Sequence, residues 1–104
     1  MINKIIWSTL AENQLEQVYE QHIKRSSLKA AKKVIHTIIG EVNLLIEEPF
    51  LGSVEESLQR DKITYRSLTA NQYKIIYTVD ETKDLIKIAT VYNSRRDPIS
   101  KGDI

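Results

Sequence analysis

A chain of 104 residues has room for one body around one core, so a single domain spanning residues 1–104 is expected. Its 41% hydrophobic and 28% charged residues exclude a disordered chain, and a net charge of +1 gives no overall pull on nucleic acid, so any such surface must be local. The absence of cysteine removes disulfide frameworks, thiolate chemistry and Cys-based zinc sites; His22 and His36 stand at no familiar metal spacing, and no metal or cofactor is expected.

Ile2 to Trp7 is an isoleucine-rich run too short for a helix, which predicts an opening strand. It turns polar at Ser8, too soon for a signal peptide or a membrane span, so no membrane association and a cytoplasmic location are expected. Thr9-Leu10-Ala11-Glu12 has the spacing of a capping box and predicts a helix start, after which Ala11, Leu15, Val18, Tyr19 and Ile23 form one apolar stripe. Ser26 and Ser27 break that helix and cap a second, whose stripe is Ala31, Val34, Ile35, Ile38, Val42, Leu45 and Ile46. The two helices should form an antiparallel hairpin. Gly40 inside the second predicts a close backbone contact or a bend, because glycine there costs about 1 kcal/mol relative to alanine. The helix is predicted to stop near Glu48, ahead of Pro49 and the turn at Gly52.

Ser53 to Asp61 is polar and without period. Three strands are then predicted: Ile63 to Leu68, Tyr73 to Val79 and Leu85 to Tyr92, joined by the short polar connectors Thr69-Ala70-Asn71 and Asp80-Glu81-Thr82-Lys83. Alternation in the middle strand puts Tyr73, Ile75, Tyr77 and Val79 on one face and Lys74, Ile76 and Thr78 on the other, so one face can cover the helices while the other stays available. The expected fold is α+β, in the order βααβββ, with an antiparallel helix hairpin on one face of a small sheet that ends in a three-stranded antiparallel meander.

Five features taken together carry a resemblance. They are the opening strand ending in Trp7, the helix pair, the Leu45, Pro49 and Gly52 punctuation, the hairpin Tyr65-Arg66-Ser67-Leu68 with Tyr73-Lys74-Ile75-Ile76-Tyr77, and Ile88-Ala89-Thr90-Val91-Tyr92 followed by Asn93-Ser94-Arg95-Arg96-Asp97-Pro98. In this order they resemble the RelE/ParE superfamily of type II toxin-antitoxin toxins, its ParE-type or plasmid-stabilisation branch above all. The resemblance implies a concave sheet face and a cognate antitoxin whose C-terminal segment wraps the toxin and orders on binding. It also implies growth inhibition, with DNA gyrase as the target. The alternative within the superfamily is a ribosome-dependent mRNA endonuclease, and a third reading is a non-toxic interaction module of the same fold.

Basic residues gather in the strand half. Lys83 and Lys87 read as solvated strand lysines. Arg66 and Lys74 fall in adjacent strands of one hairpin, where cross-strand side chains can hold a phosphate jointly, and they are the first candidates for a target- or phosphate-binding role. Where ribonucleases of the superfamily use an arginine, the resemblance places Lys74, which keeps the charge but loses the bidentate fork. Arg95 and Arg96 complete the set, their alternative role being a rim or a salt bridge with Asp97. Metal-free RNA cleavage needs a base for the 2′-hydroxyl, an acid for the leaving oxygen and cations for the phosphorane. No histidine follows His36, and the tail after Pro98 has neither tyrosine nor histidine, so the acid would have to be Tyr65, Tyr73, Tyr77 or Tyr92, with Tyr92 carried forward beside Arg66, Lys74 and Arg96. Trp7 and Phe50 read as core or lid residues, and His22 and His36 as packing or hydrogen-bonding residues with no catalytic role. The working premise is that Arg66, Lys74 and Arg96 serve one surface.

Overall fold

The computed structural model describes residues 1–95, in the order β1 (Lys4–Trp7), α1 (Thr9–Arg25), α2 (Leu28–Asn43), β2 (Ser53–Val54), β3 (Arg66–Ala70), β4 (Tyr73–Asp80) and β5 (Leu85–Asn93). The strands form one five-stranded sheet ordered β1-β5-β4-β3-β2. β3, β4 and β5 make the expected antiparallel meander, and β1 lies parallel to β5. The short β2, inside the stretch read as polar connector, adds to the far edge antiparallel to β3.

Both helices cover one face. Ala11 and Val18 of α1 and Ile38, Val42 and Leu45 from the α2 side meet Leu68, Ala70, Tyr73, Ile75, Tyr77, Ile86, Ile88 and Val91 in the main core. The alternation read from β4 is correct: Tyr73, Ile75, Tyr77 and Val79 lie in or against this core, while Ile76 joins Leu58, Tyr65 and Ala89 in a small second cluster on the opposite face. That opposite face is therefore the open face of the sheet, partly covered by the segment leading from β2.

Several local expectations change. Ser8, not Thr9, caps α1, because its hydroxyl both accepts from the Ala11 amide at 3.0 Å and donates to the Ala89 carbonyl of β5 at 2.7 Å, a tie that Thr9 does not make. Ser27 caps α2 as expected, accepting from Ala30 at 3.0 Å. α2 ends at Asn43, short of Glu48, and continues as a 3-10 turn over Leu44–Ile46. That tighter winding keeps Leu45 inside and turns Ile46 out, although both belong to the predicted stripe. Gly40 makes no close contact: a Cβ built there meets nothing within 4 Å.

One irregularity controls what the open face presents. The β4–β5 register slips between Ile76 and Tyr77: Ile76 pairs with Thr90 but Tyr77 pairs with Ile88, which leaves Ala89 as an extra residue on β5. Ile86 and Ile88 face the helices, and simple alternation would send residue 92 the same way. The bulge reverses the phase, so Val91 returns to the main core and Tyr92 packs against the open-face cluster. α1 supplies the hydrogen bonds that the bulge forfeits. Ser8 takes the Ala89 carbonyl, and the Gln14 side-chain oxygen accepts from the Val91 amide and the Thr90 hydroxyl, each at 2.8 Å.

Candidate functional site

With the bulge in place, Lys74 and Tyr92 are direct cross-strand partners on the open face. Opposite them stands Glu55, a residue the polar stretch concealed. β2 pairs with β3, and immediately after it the Glu55 amide donates to the Tyr65 carbonyl at 2.8 Å. Its own carbonyl accepts from the Gln59 side-chain amide at 2.8 Å and the Leu58 amide at 3.1 Å, and Leu58, 1% exposed, plugs the second cluster. With its backbone held at both ends, Glu55 aims its carboxylate at β3 and β4. It accepts from the Ser67 hydroxyl at 2.9 Å and lies 3.3 and 3.2 Å, by its two oxygens, from the Lys74 ammonium. The two side chains retain only 29% (Lys74) and 21% (Glu55) of their exposure, so the pair is screened less than an open surface ion pair. Burial pushes the Tyr92 hydroxyl above its ordinary range; Lys74 works against that rise and Glu55 adds to it.

Arg66 does not join this group. Its Cα partner across the hairpin is Tyr77, whereas that of Lys74 is Thr69, so Arg66 belongs to the helix-side face and Lys74 to the open face. The expectation that the two hold one phosphate together is thereby corrected. Arg66 instead secures the turn before β2, with Nη1 donating to the Gly52 carbonyl at 2.9 Å and to the Phe50 carbonyl at 3.5 Å, and its guanidinium 5.1 Å from the centre of the Phe50 ring. Tyr77 fixes the same turn from within: its hydroxyl donates to the Pro49 carbonyl at 2.9 Å and accepts from the Gly52 amide at 2.8 Å. Burial raises the pKa of that hydroxyl, while the Gly52 hydrogen bond and the Arg66 charge oppose the rise. Gly52 is required by space, since a Cβ there would come within 2.7 Å of the Ser67 carbonyl oxygen and of the Tyr77 ring and hydroxyl.

Arg95 is exposed just past β5, its amide donating to the Asn93 side chain at 3.0 Å. Arg96 and Asp97 lie outside the described residues. Of the four tyrosines considered as acids, Tyr73 and Tyr77 are inside the helix-side core, and Tyr65 and Tyr92 belong to the open face. The Tyr73 hydroxyl is 2.9 Å from His22 Nε2, so the α1 histidine has the packing and hydrogen-bonding role expected of it; His36 is exposed on α2. Among the described residues no group of His, Asp or Glu is arranged to hold a metal ion. The open face thus offers Lys74 already paired with a carboxylate, the exposed Lys87 across from Thr78, the Ser67 hydroxyl beside Glu55, and in Tyr92 a tyrosine whose proton is held more tightly than usual.

A second surface lies on the helices. Trp7, Leu15, Tyr19, Ile35 and Ile39 line an open apolar groove of about 510 Å³, with Glu12 and Glu16 at its rim. Leu15, Tyr19 and Ile35 belong to the predicted apolar stripes of the two helices, yet they are only half-buried and line this groove. Single exposed apolar residues are ordinary, whereas a contiguous apolar groove with a charged rim marks a contact surface.

The sequence profile describing the ParE toxin of the type II toxin-antitoxin system parDE matches residues 5–98. Among solved structures, the chromosomal ParDE toxin-antitoxin system of P. aeruginosa superposes with a TM-score of 0.73 at 19% identity, over 89% of this chain and 96% of that one. The archaeal RelE-RelB complex of Pyrococcus horikoshii gives 0.60 at 16% identity, over 93% of this chain and 100% of the other. RelBE2 of Mycobacterium tuberculosis gives 0.55 at 15% identity, over 89% and 99%. At these identities the superpositions establish the fold, and the profile establishes the kinship. No curated protein sequence gives a significant match.

Proposed function

The chain belongs to the ParE toxin family of type II toxin-antitoxin systems, and from that premise we propose that it arrests bacterial growth by binding DNA gyrase in the cytoplasm, without catalysis of its own, until a cognate antitoxin neutralises it. One observation carries the choice of binding over cleavage. Lys74 and Glu55 are engaged with each other and both histidines lie on the helix side, so among the described residues the carboxylate near Tyr92 is held in an ion pair and no histidine stands beside it as a base. Arg66, Arg95 and Arg96 are then target-contacting residues, and Lys74 a weaker contributor.

The antitoxin is assigned to the helix groove. The structures that share this fold include toxin-antitoxin complexes, and an amphipathic helix bearing lysine or arginine beside its apolar stripe would satisfy both the apolar floor and the Glu12 and Glu16 rim. Purified toxin is expected to abolish gyrase supercoiling or to trap cleaved DNA, and the antitoxin to reverse the effect. Unchanged gyrase activity at saturating toxin would refute the target. Cleavage of mRNA in a purified translation reaction, lost in Lys74→Ala, would replace this reading with the endonuclease.

A further inference from the structure

The donors that surround the Glu55 carboxylate are those that hold a phosphate oxygen: an ammonium at 3.2–3.3 Å and a hydroxyl at 2.9 Å, with the Tyr92 ring across the strand from Lys74. We propose that Glu55 is a built-in guard that occupies a phosphate position on the open face and so keeps single-stranded nucleic acid off this protein. Removing its charge turns the face into a site for a phosphodiester backbone, with Lys74 and Ser67 on the phosphate and the partly exposed Tyr92 ring available to a base.

Three observations distinguish Glu55 from an incidental surface acid. Its main chain is tied at both sides, through the amide to Tyr65 and through the carbonyl to Gln59 and Leu58, so it cannot swing away without undocking Leu58 from the second cluster. Its carboxylate has two independent donors, so an incoming phosphate would have to displace it from both. A displaced Glu55 would remain beside the phosphate as an unpaired like charge, and repulsion of that kind is how a binding surface rejects a wrong partner. With a net charge of +1, the protein has no broad positive field to override a local negative one. The proposal rests on the non-catalytic reading of the open face, since an mRNA endonuclease acting through Lys74 would have to bind the strand that Glu55 excludes, but it does not depend on gyrase being the target.

The test is fluorescence anisotropy with a short labelled oligouridylate and the matching oligothymidylate at low salt. Wild type is compared with Lys74→Ala, Glu55→Gln, Glu55→Ala and the double variant Glu55→Gln/Lys74→Ala. Wild type and Lys74→Ala should bind equally weakly, since Lys74 is already engaged. Either Glu55 variant should bind roughly tenfold tighter or more. The salt dependence of log K should steepen by about 0.7, the value for one additional phosphate contact on a single strand. The double variant should fall back to wild type. Equal gains with both oligonucleotides support recognition through phosphate alone, and a larger gain with RNA supports an added 2′-hydroxyl contact. Glu55→Gln keeps an acceptor for Ser67, and its fold is checked by far-UV circular dichroism. The proposal is overturned if both Glu55 variants bind no tighter than wild type, or if the double variant binds as tightly as Glu55→Gln. Tight wild-type binding that Lys74→Ala abolishes would overturn it as well, and that result needs no Glu55 variant to fold.

Discussion

Replacing Gln14 with alanine should destabilise the protein well beyond what a helix-surface glutamine would suggest. The side-chain oxygen accepts from the Val91 amide and the Thr90 hydroxyl, each at 2.8 Å, and Thr90 is 0% and Val91 1% exposed, so water cannot readily replace it. Leaving a buried donor unpaired costs about 1–3 kcal/mol. The amide is fixed in place and bears the full penalty, while the hydroxyl can rotate and recover part of its loss, so the total comes to about 2–4 kcal/mol. For a domain of this size that lowers the melting temperature by roughly 10–20 °C. Urea unfolding followed by circular dichroism measures the first quantity and a thermal scan the second. Gln14→Glu is the informative control, because a carboxylate accepts both bonds, and it should lie far closer to wild type than to Gln14→Ala. A loss under about 0.5 kcal/mol, the range of ordinary surface substitutions, would mean that the bulge does not depend on α1 for its hydrogen bonds.

Gly40→Ala should raise stability by up to about 1 kcal/mol, since the position is helical and open, and a loss on denaturant unfolding would reveal a contact that the empty surroundings do not show. Gly52→Ala should cost about 1–3 kcal/mol, because the new methyl meets a backbone carbonyl and a buried ring; a neutral result by the same assay would show that the turn can move aside. Tyr77 provides a test by pH. Its folded-state pKa is raised above the ordinary tyrosine value of 10.0, so folding is favoured by the neutral hydroxyl below pH 10 and loses that advantage as pH rises through the folded pKa. Between the two pKa values wild type should lose about 1.4 kcal/mol per pH unit more than Tyr77→Phe does. Parallel slopes from urea titrations on the alkaline side would contradict this.

The parts of the fold that depend on local pattern are legible in the residues themselves. Alternation in Tyr73 to Val79 identifies the buried face because each β4 side chain has a fixed parity, and Ser27 caps α2 because its hydroxyl needs only the next turn of backbone. What depends on pairing is not legible. A three-residue turn at Thr69-Ala70-Asn71 would pair even-numbered residues with even and set Arg66 beside Lys74. The turn is Asn71-Gln72, with Ala70 opposite Tyr73 and Asn71 at φ 56°, so even pairs with odd and the two cations part to opposite faces. One residue of turn length decides whether the expected phosphate clamp exists. Glu55 is hidden for a related reason: Ser53 to Asp61 has no period, and its role follows from β2 docking on β3, a contact between segments with no shared local signal. The bulge at Ala89 carries no glycine to mark it, and its stabilising partners are Ser8 and Gln14 near the other end of the chain.

The two separated cations still share a dependence. Arg66 is bonded to the carbonyls of Phe50 and Gly52, and Lys74 to the carboxylate of Glu55, so the segment from Pro49 to Leu58 engages one cation on each face as it crosses the edge of the sheet. Tyr77 anchors that segment from the helix side and Leu58 from the open side. Arg66 and Lys74 are therefore available to a partner only to the extent that this short edge segment releases them. The surface presented by the toxin is governed less by how many basic residues its strands carry than by how firmly the chain between α2 and β3 is docked. A ligand that pulled this segment away would expose both cations at once, on opposite sides of the same edge.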